Sequence, residues 1–263
     1  MNNVPAMRCE QFYAKHWKKR YRFWHKVINR SRFQKELLTN IIVEPGKSRM
    51  KILDLGCGEG NEITAALSRL KHIDFTITAN DTSEEALKIY KKANSKCVVK
   101  CMKCSLEVVP ELLENEKFDF ILFSHSLYGI SLDGLFQRYI KLLESDGKML
   151  IFLESSKSEM VKLRQMFWKR LYNVEFDENT AEDVSAALKK MEIKQRIYEV
   201  GYCLDLEKLE SLYKNGLVKF VIPFALRNTK LPPNILLAAK EYLLSVVAEG
   251  KISCGACGIV AKH

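Results

Sequence analysis

The sequence predicts an α/β fold: a doubly wound sheet of about seven strands, mostly parallel, with an N-terminal helical cap and a helical insertion. Three observations predict it. Short apolar runs alternate with helix-like stretches five times between residues 47 and 155. The connections are short enough for βαβ units, whose crossovers are right-handed. The first apolar run ends directly in closely spaced glycines, the turn that lets a helix fold back against a buried strand.

Each element has its own signal. Residues 10–43 read as helical, with aromatic and aliphatic side chains at three- and four-residue spacing, until Glu44-Pro45-Gly46-Lys47 breaks the pattern. Residues 50–55 (MKILDL) form an apolar run of the kind found in a strand buried on both faces, and 60–70 continue as a helix. The second strand is 75–79 and its helix 83–93. The third strand is 97–102, before a helix around 107–113. The fourth strand is 118–123 (FDFILF), followed by a helix from about 132 to 143. The fifth is 148–153 (KMLIFL), after an Asp146-Gly147 turn. From about 158 to 190 the chain is mostly helical and polar. A strand near 197–203, a helix opened by Asp205, a helix after Pro232-Pro233 and a strand near 254–260 complete it. The expected organisation is a cap or lid over 1–46 and one structural unit over 47–263, with a core at 47–155 and a substrate-side insertion at about 156–195.

Composition narrows the function classes. In 263 residues, 47% hydrophobic and 28% charged, a full core can form without covalent staples. No apolar run approaches the roughly 18 residues of a membrane span. The opening MNNVPAMRCEQ lacks an apolar signal core, and eight cysteines without an export signal read as thiols in a reducing compartment, so the cytoplasm is expected. The net charge of +10 is concentrated: residues 11–35 hold nine basic side chains, among them Lys26, and no acidic one. The remainder is nearly neutral, which argues against a general polyanion-coating surface. In that segment the cations alternate with Phe12, Tyr13, Trp17, Tyr21, Phe23, Trp24 and Phe33. Three readings stand: an amphipathic lid packed on the core, a lid whose cations select an acidic group, or a nucleic-acid grip.

The chemistry-bearing motif is Asp54-Leu55-Gly56-Cys57-Gly58-Glu59-Gly60. Its glycine spacing, G-x-G-x-G, differs from the G-x-G-x-x-G that cradles a dinucleotide pyrophosphate. The tighter turn suits a ligand with a carboxylate and a ribose and no phosphate, such as S-adenosylmethionine. Asp81, at the end of the second strand, supplies the carboxylate that accepts ribose hydroxyls. The motif resembles motif I of the class I S-adenosylmethionine-dependent methyltransferases, whose core is a Rossmann-like sheet. That resemblance implies a cofactor site at Gly56, Gly58, Gly60, Asp81, Thr82, Ser105 near the adenine and Ser124 after the fourth strand.

Absences sort the reaction type. The stretch Phe123-Ser124-His125-Ser126-Leu127-Tyr128-Gly129 lacks the Asn/Asp-Pro-Pro-Tyr/Phe element of enzymes that methylate amide or adenine nitrogens, and no Asp/Asn cluster reads as a magnesium site. A more diffuse resemblance, carried by residues 118–155, YEVGYCLDLEKL, the Pro232-Pro233 helix and the closing EGKISCGACGIVAKH, is to the histamine N-methyltransferases. It implies methyl transfer to a small nitrogenous acceptor, with Trp17, His125, Tyr128, Trp168 and Cys254 around that acceptor. His125 is the candidate catalytic residue because residues after the fourth strand are expected to face the transferred methyl. The match departs at the substrate: Lys26, His125 and Cys254 fall about where that family places a glutamate, a glutamine and an asparagine. Cys101/Cys104 and Cys254/Cys257 have zinc-like spacing, but both pairs fall on strands, where residues three apart point to opposite faces, so no metal is expected. A monomer is expected. An RNA-associated methyltransferase and a cofactor-binding pseudoenzyme are the other readings.

Overall fold

A computed structural model describes residues 22–29, 32–42 and 47–262. In chain order the elements are α1 (Arg22–Val27), β1 (Ile28–Asn29), α2 (Arg32–Ile42), β2 (Arg49–Leu55), α3 (Asn61–Leu67), β3 (Asp74–Asn80), α4 (Glu84–Ala93), β4 (Val98–Met102), α5 (Val109–Leu112), β5 (Phe118–Ser124), α6 (Leu135–Ile140) and β6 (Leu143–Glu154). There follow α7 (Glu159–Tyr172), α8 (Ala181–Lys190), β7 (Lys194–Glu199), β8 (Tyr202–Asp205), α9 (Leu206–Leu212), a π-helical turn (Leu217–Val221), α10 (Ile222–Ala225), α11 (Pro233–Ser245), β9 (Lys251–Cys254) and β10 (Ala256–Lys262). The described residues form two compact units. One takes 32–42, 47–153, 179–200 and 257–262; the other takes 22–29, 154–178 and 201–256.

The first unit holds the seven-stranded sheet, in the order β4-β3-β2-β5-β6-β10-β7. The strands from β4 to β6 pair in parallel, and β10 pairs antiparallel with β7. The Rossmann-like class expected from the strand–helix alternation is therefore what forms. β2 and β3 are buried along most of their length because helices cover both faces. On one face Leu38 and Ile42 of α2, Ile63 and Ala66 of α3, and Leu87 and Tyr90 of α4 pack with Ile52, Ile77, Phe120, Leu150 and Phe152. On the other face Phe123 meets Phe136 and Tyr139 of α6 edge to face. Each such fully buried side chain contributes roughly 1.5–3 kcal/mol. β6 begins earlier than the expected 148. Its pairing with β5 shifts register between Phe118 and Phe120, and the bulge absorbs the Asp146-Gly147 turn into the strand.

Two expected strands each divide. The run near 197–203 becomes β7 of the large sheet and β8 of a three-stranded sheet, β1-β8-β9, with Val200 and Gly201 between them. The run near 254–260 becomes β9 of the small sheet and β10 of the large one, separated by Gly255 alone. Apolar alternation does not reveal which sheet a half-strand joins, because that choice is made by non-local partners. The helix opened by Asp205 and the helix after Pro232-Pro233 form where expected; Asp205 caps α9 by accepting the Lys208 N–H at 2.9 Å. Of the 1–46 cap, only 22–29 and 32–42 lie within the described residues, and α2 belongs to the unit of the large sheet.

The second unit is held by the apolar faces of α7, α10 and α11 and by a buried charge cluster. Phe23 and Trp24 of α1 are buried there, stacked on Phe220 and Phe224. That places these two aromatics in a core; the rest of the basic aromatic segment lies mostly outside the described residues. Glu154, Arg164, Glu178 and Arg227 are each about 5–6% exposed. Arg164 pairs with Glu154 and stands 3.1 Å from Glu178, Arg227 pairs with both oxygens of Glu178, and Tyr202 donates to Glu154 at 3.0 Å. Two cations and two anions cancel, so the group tolerates burial only as a set. Glu178→Ala would remove one of the two carboxylates that balance two buried guanidinium groups. It should cost about 3–5 kcal/mol, read as a lowered urea midpoint; a midpoint shift corresponding to under about 1 kcal/mol would refute the account.

Candidate active site

Sheet register puts three loops at one end of the large sheet. Leu55 pairs with Asn80 of β3 and with Phe123 of β5, so the chain emerges side by side at Gly56, Asp81 and just beyond Ser124. Strands fan to opposite sides between β2 and β5, the crevice where ligands bind open α/β sheets.

The glycine turn is clamped on every side. Gly56, Gly58 and Gly60 have φ of 62, 56 and 76°, the left-handed region that costs other residues roughly 1–2 kcal/mol. A Cβ on Gly56 would stand 2.3 Å from Ser126 Cβ, and one on Gly60 would stand 2.5 Å from the Tyr90 ring. The Cys57 N–H donates to the Asn80 carbonyl at 2.9 Å. α3 begins at Asn61, and at seven residues it is shorter than the expected 60–70. What it offers a ligand is local N–H groups more than a long macrodipole.

Asp81 closes the turn from the side. Its Oδ2 accepts the Gly58 N–H at 2.9 Å and its Oδ1 the Ser83 N–H at 2.8 Å. Burial raises its pKa, while hydrogen bonds from the Ser83, Gly58 and Thr82 backbones oppose the rise. A carboxylate has about four acceptor positions, so a diol can still be accepted. Thr82 is exposed beside it, and Ser83 caps α4 by accepting the Ala86 N–H. Ser105, half-buried after β4, follows Cys104, whose carbonyl accepts from Asn80 Nδ2 at 2.8 Å. Beneath the turn, Asp54 is 2% exposed and accepts the Tyr90 hydroxyl at 2.7 Å. Burial pushes its carboxyl up to about 7, with the Tyr90 hydrogen bond opposing and the Asp81 charge reinforcing.

The last residue of β5 and the loop beyond it lie at the same end. The buried hydroxyls of Ser124 and Ser126 have no protein hydrogen-bond partner, so each can take one from a water or a polar ligand atom. His125 is a non-glycine residue at φ 55°, held by its N–H on the Phe152 carbonyl at 2.8 Å. Such backbone strain clusters at functional positions. Its Nδ1 lies 3.1 Å from the Tyr128 hydroxyl and its Nε2 3.5 Å from Gln34 Nε2 of α2. Two residues picked from the sequence thus come together with a third that had no sequence signal.

Trp17 lies outside the described residues. Trp168 and Cys254 belong to the second unit. Trp168 is 3% exposed beside Tyr172, Phe176 and Arg227, and its indole N–H has no partner. Cys254 is fully buried, and burial pushes its thiol pKa well up. Lys26 is exposed. Cys101 lies on edge strand β4 and Cys257 on β10, five strand spacings apart, roughly 24 Å. Among the described residues no group of three His, Cys, Asp or Glu is placed to hold a metal ion. Asn80, Ser126, Asp54 and Gln34 were not foreseen; only Asp54 and Ser126 lay inside motifs already singled out.

A family model described as a methyltransferase domain matches residues 46–201. No curated protein matches the sequence. Solved structures share the fold at low identity. The YcgJ protein of Bacillus subtilis is 12% identical with a TM-score of 0.60, covering 89% of this chain and 99% of its own. The cyclopropane synthase MmaA2 of Mycobacterium tuberculosis is 15% identical with a TM-score of 0.59, covering 98% and 99%. Geranyl diphosphate C-methyltransferase of Streptomyces coelicolor A3(2), solved with Mg2+, geranyl diphosphate and S-adenosyl-L-homocysteine, is 12% identical with a TM-score of 0.51, covering 88% and 77%.

Asp54 makes stability pH-dependent. Its carboxyl holds a proton more tightly in the folded chain than in the unfolded one. The stability it lends is fully present below about pH 4 and is lost as pH rises through about 7. Asp54→Asn cannot ionise and should flatten that loss, by up to about 4 kcal/mol between pH 4 and 8. Urea titrations of both proteins across this range test it; parallel curves would count against a buried, proton-holding Asp54.

Proposed function

This chain belongs to the methyltransferase-domain family, and from that premise we propose that it transfers the methyl group of S-adenosylmethionine to a small nitrogenous acceptor. The observation that carries the cofactor reading is the glycine turn locked to Asp81. Left-handed glycines bring backbone N–H groups to the surface, a side carboxylate accepts a ribose diol, and two orphaned serine hydroxyls wait beside them. This donor and acceptor set fits an aminoacid-bearing nucleoside. The S-adenosyl-L-homocysteine in the C-methyltransferase of the same fold supports that choice.

When bound, S-adenosylmethionine supplies a methyl already activated on a sulfonium. What the chain must add is position. Holding donor and acceptor in line contributes about 7–11 kcal/mol. In this reading Gly58 and Asp81 hold the nucleoside, Thr82 and Ser105 flank it, and Ser124 lies toward the transferred group. His125 and Tyr128 hold the acceptor. The acceptor nitrogen uses its lone pair to form the new N–C bond as the S–C bond breaks, the thioether departs neutral, and the positive charge now on nitrogen is released as a proton to water.

A nitrogenous acceptor rests on the polar His125–Tyr128 pair and on the sequence resemblance to the histamine N-methyltransferases. Trp17, Trp168 and Cys254 enter as acceptor residues through that resemblance alone. Because Lys26, His125 and Cys254 replace the residues with which that family holds histamine, the acceptor proposed is a different small amine or heteroaromatic nitrogen. Carbon acceptors are the alternative that the cyclopropane synthase and C-methyltransferase of this fold illustrate. The proposal is for a monomer, and for work in the cytoplasm, the latter supported by seven free cysteines among the described residues; no described helix is long and apolar enough to cross a membrane.

Calorimetry and turnover separate the two halves of the reading. Asp81→Ala should weaken S-adenosylmethionine binding about 10²-fold, the value of losing hydrogen bonds to a charged acceptor. Unchanged affinity would remove the cofactor site from this turn. Tyr128→Phe and His125→Ala should leave that affinity intact while lowering kcat/KM on an amine and imidazole panel by about 10- to 100-fold. Cofactor binding with no turnover on any nitrogen would defeat the acceptor assignment and leave the family unaffected.

A further inference from the structure

We propose that Asn80 is a positioning residue for the purine of the cofactor. Its buried amide turns the Cys104–Ser105 peptide so that the Ser105 N–H faces outward at the rim, and through that donor it sets a preference for adenine. This rests on the reading of the rim as an S-adenosylmethionine site with Ser105 on its purine side. It gives a role to a side chain that no motif marked.

Asn80 ends β3, is 1% exposed, and is bonded to the chain on both sides. Its backbone carbonyl accepts the Cys57 N–H of the glycine turn at 2.9 Å. Its Nδ2 stands 3.2 Å from the carbonyl of Met102, the last residue of β4, and 2.8 Å from the Cys104 carbonyl beyond it. A carbonyl oxygen only accepts, so the end of the amide facing these two atoms is the nitrogen, and both of its hydrogens are engaged. The other end, Oδ1, is buried without a hydrogen-bond partner. A buried acceptor left unpaired costs about as much as such bonds return, so the amide adds little net stability. What it adds is direction.

The Cys104 carbonyl and the Ser105 N–H belong to one peptide unit. That unit is planar and trans, so its C=O and N–H point in opposite directions. Drawing the carbonyl inward onto Asn80 turns the Ser105 N–H away from the buried strand end. Ser105 is half-buried, and neither its N–H nor its hydroxyl donates to another group among the described residues. An N–H held in a fixed direction pairs with a lone pair. The outer edge of adenine offers an unprotonated ring nitrogen; hypoxanthine carries a hydrogen on that nitrogen and would set donor against donor. Asn80 touches no ligand in this arrangement and acts through the peptide that it holds.

Calorimetry on the full-length protein with S-adenosyl-L-homocysteine and S-inosyl-L-homocysteine tests this, because the two differ only at the purine edge. The wild type should bind the adenine nucleoside about tenfold more tightly, the value of one hydrogen bond. Asn80→Val should weaken that nucleoside about tenfold and leave the inosine one unchanged, so that the preference disappears. An equal loss on both ligands, which is what a merely structural role would give, overturns the proposal; so does a preference that survives the substitution or is missing from the wild type. One measurement needs no variant to fold. In the wild type the NMR signal of the Ser105 amide proton should shift on adding S-adenosyl-L-homocysteine, and its exchange with water should slow; an unmoved amide with the ligand bound also overturns the proposal. Failure of the cofactor reading itself looks different: the wild type would bind neither nucleoside.

Discussion

The contact between the glycine turn and its surroundings governs everything built at this end of the sheet. Gly56 lies so close to Ser126 that no side chain fits between β2 and β5 at their exits. Gly60 lies on the Tyr90 ring in the same way. The tight approach brings the loop after β5 within reach of the turn, and Asp81 ties the third loop in through the Gly58 N–H. Three segments that are distant in sequence become one contiguous rim. A loosely packed loop with the same residues would present the same groups without fixed geometry, and proximity catalysis depends on that geometry.

Under the rim lies an unusual support. Asp54 is an ionisable group in a fully enclosed place, tied to Tyr90 of α4, whose ring also forms the floor for Gly60. One phenol thus serves two tasks: its face excludes a side chain from the turn and its hydroxyl satisfies the buried acid. Burial holds that acid near neutrality, which limits the negative charge gathered beside Asp81. An isolated buried carboxylate would be costly; a protonated or hydrogen-bonded one is tolerable.

The second unit solves a different problem. Its small sheet takes one strand from near the chain start and two from the last quarter, and its helices close over an apolar cluster. The Glu154–Arg164–Glu178–Arg227 set joins the end of β6, α7, the segment before α8 and the turn after α10 by charge as well as by packing. Charges that must all be present to be tolerated admit few alternative arrangements, and so favour one way of assembling a unit drawn from three separate stretches of chain.

How much of this was legible beforehand depended on distance along the chain. Strand β2, its glycine turn, Asp81 and the five parallel strands announce themselves through local pattern: a buried strand must be apolar, a left-handed turn must be glycine, and the acid at the exit of β3 falls at a fixed place in the repeat. Ser124, His125 and Tyr128 could be picked because they lie at or just beyond the end of a strand that exits beside the glycine turn. Gln34 could not, since it stands 91 residues from His125 and carries no motif. Nor could the division of two apolar runs at Val200-Gly201 and Gly255, where each half finds its partner in a different sheet. Local sequence determined the elements and the composition of the rim. Tertiary structure alone decided which buried amide meets which imidazole, which strand edges pair, and which carboxylates share their charge, because those are contacts between segments that no periodicity connects.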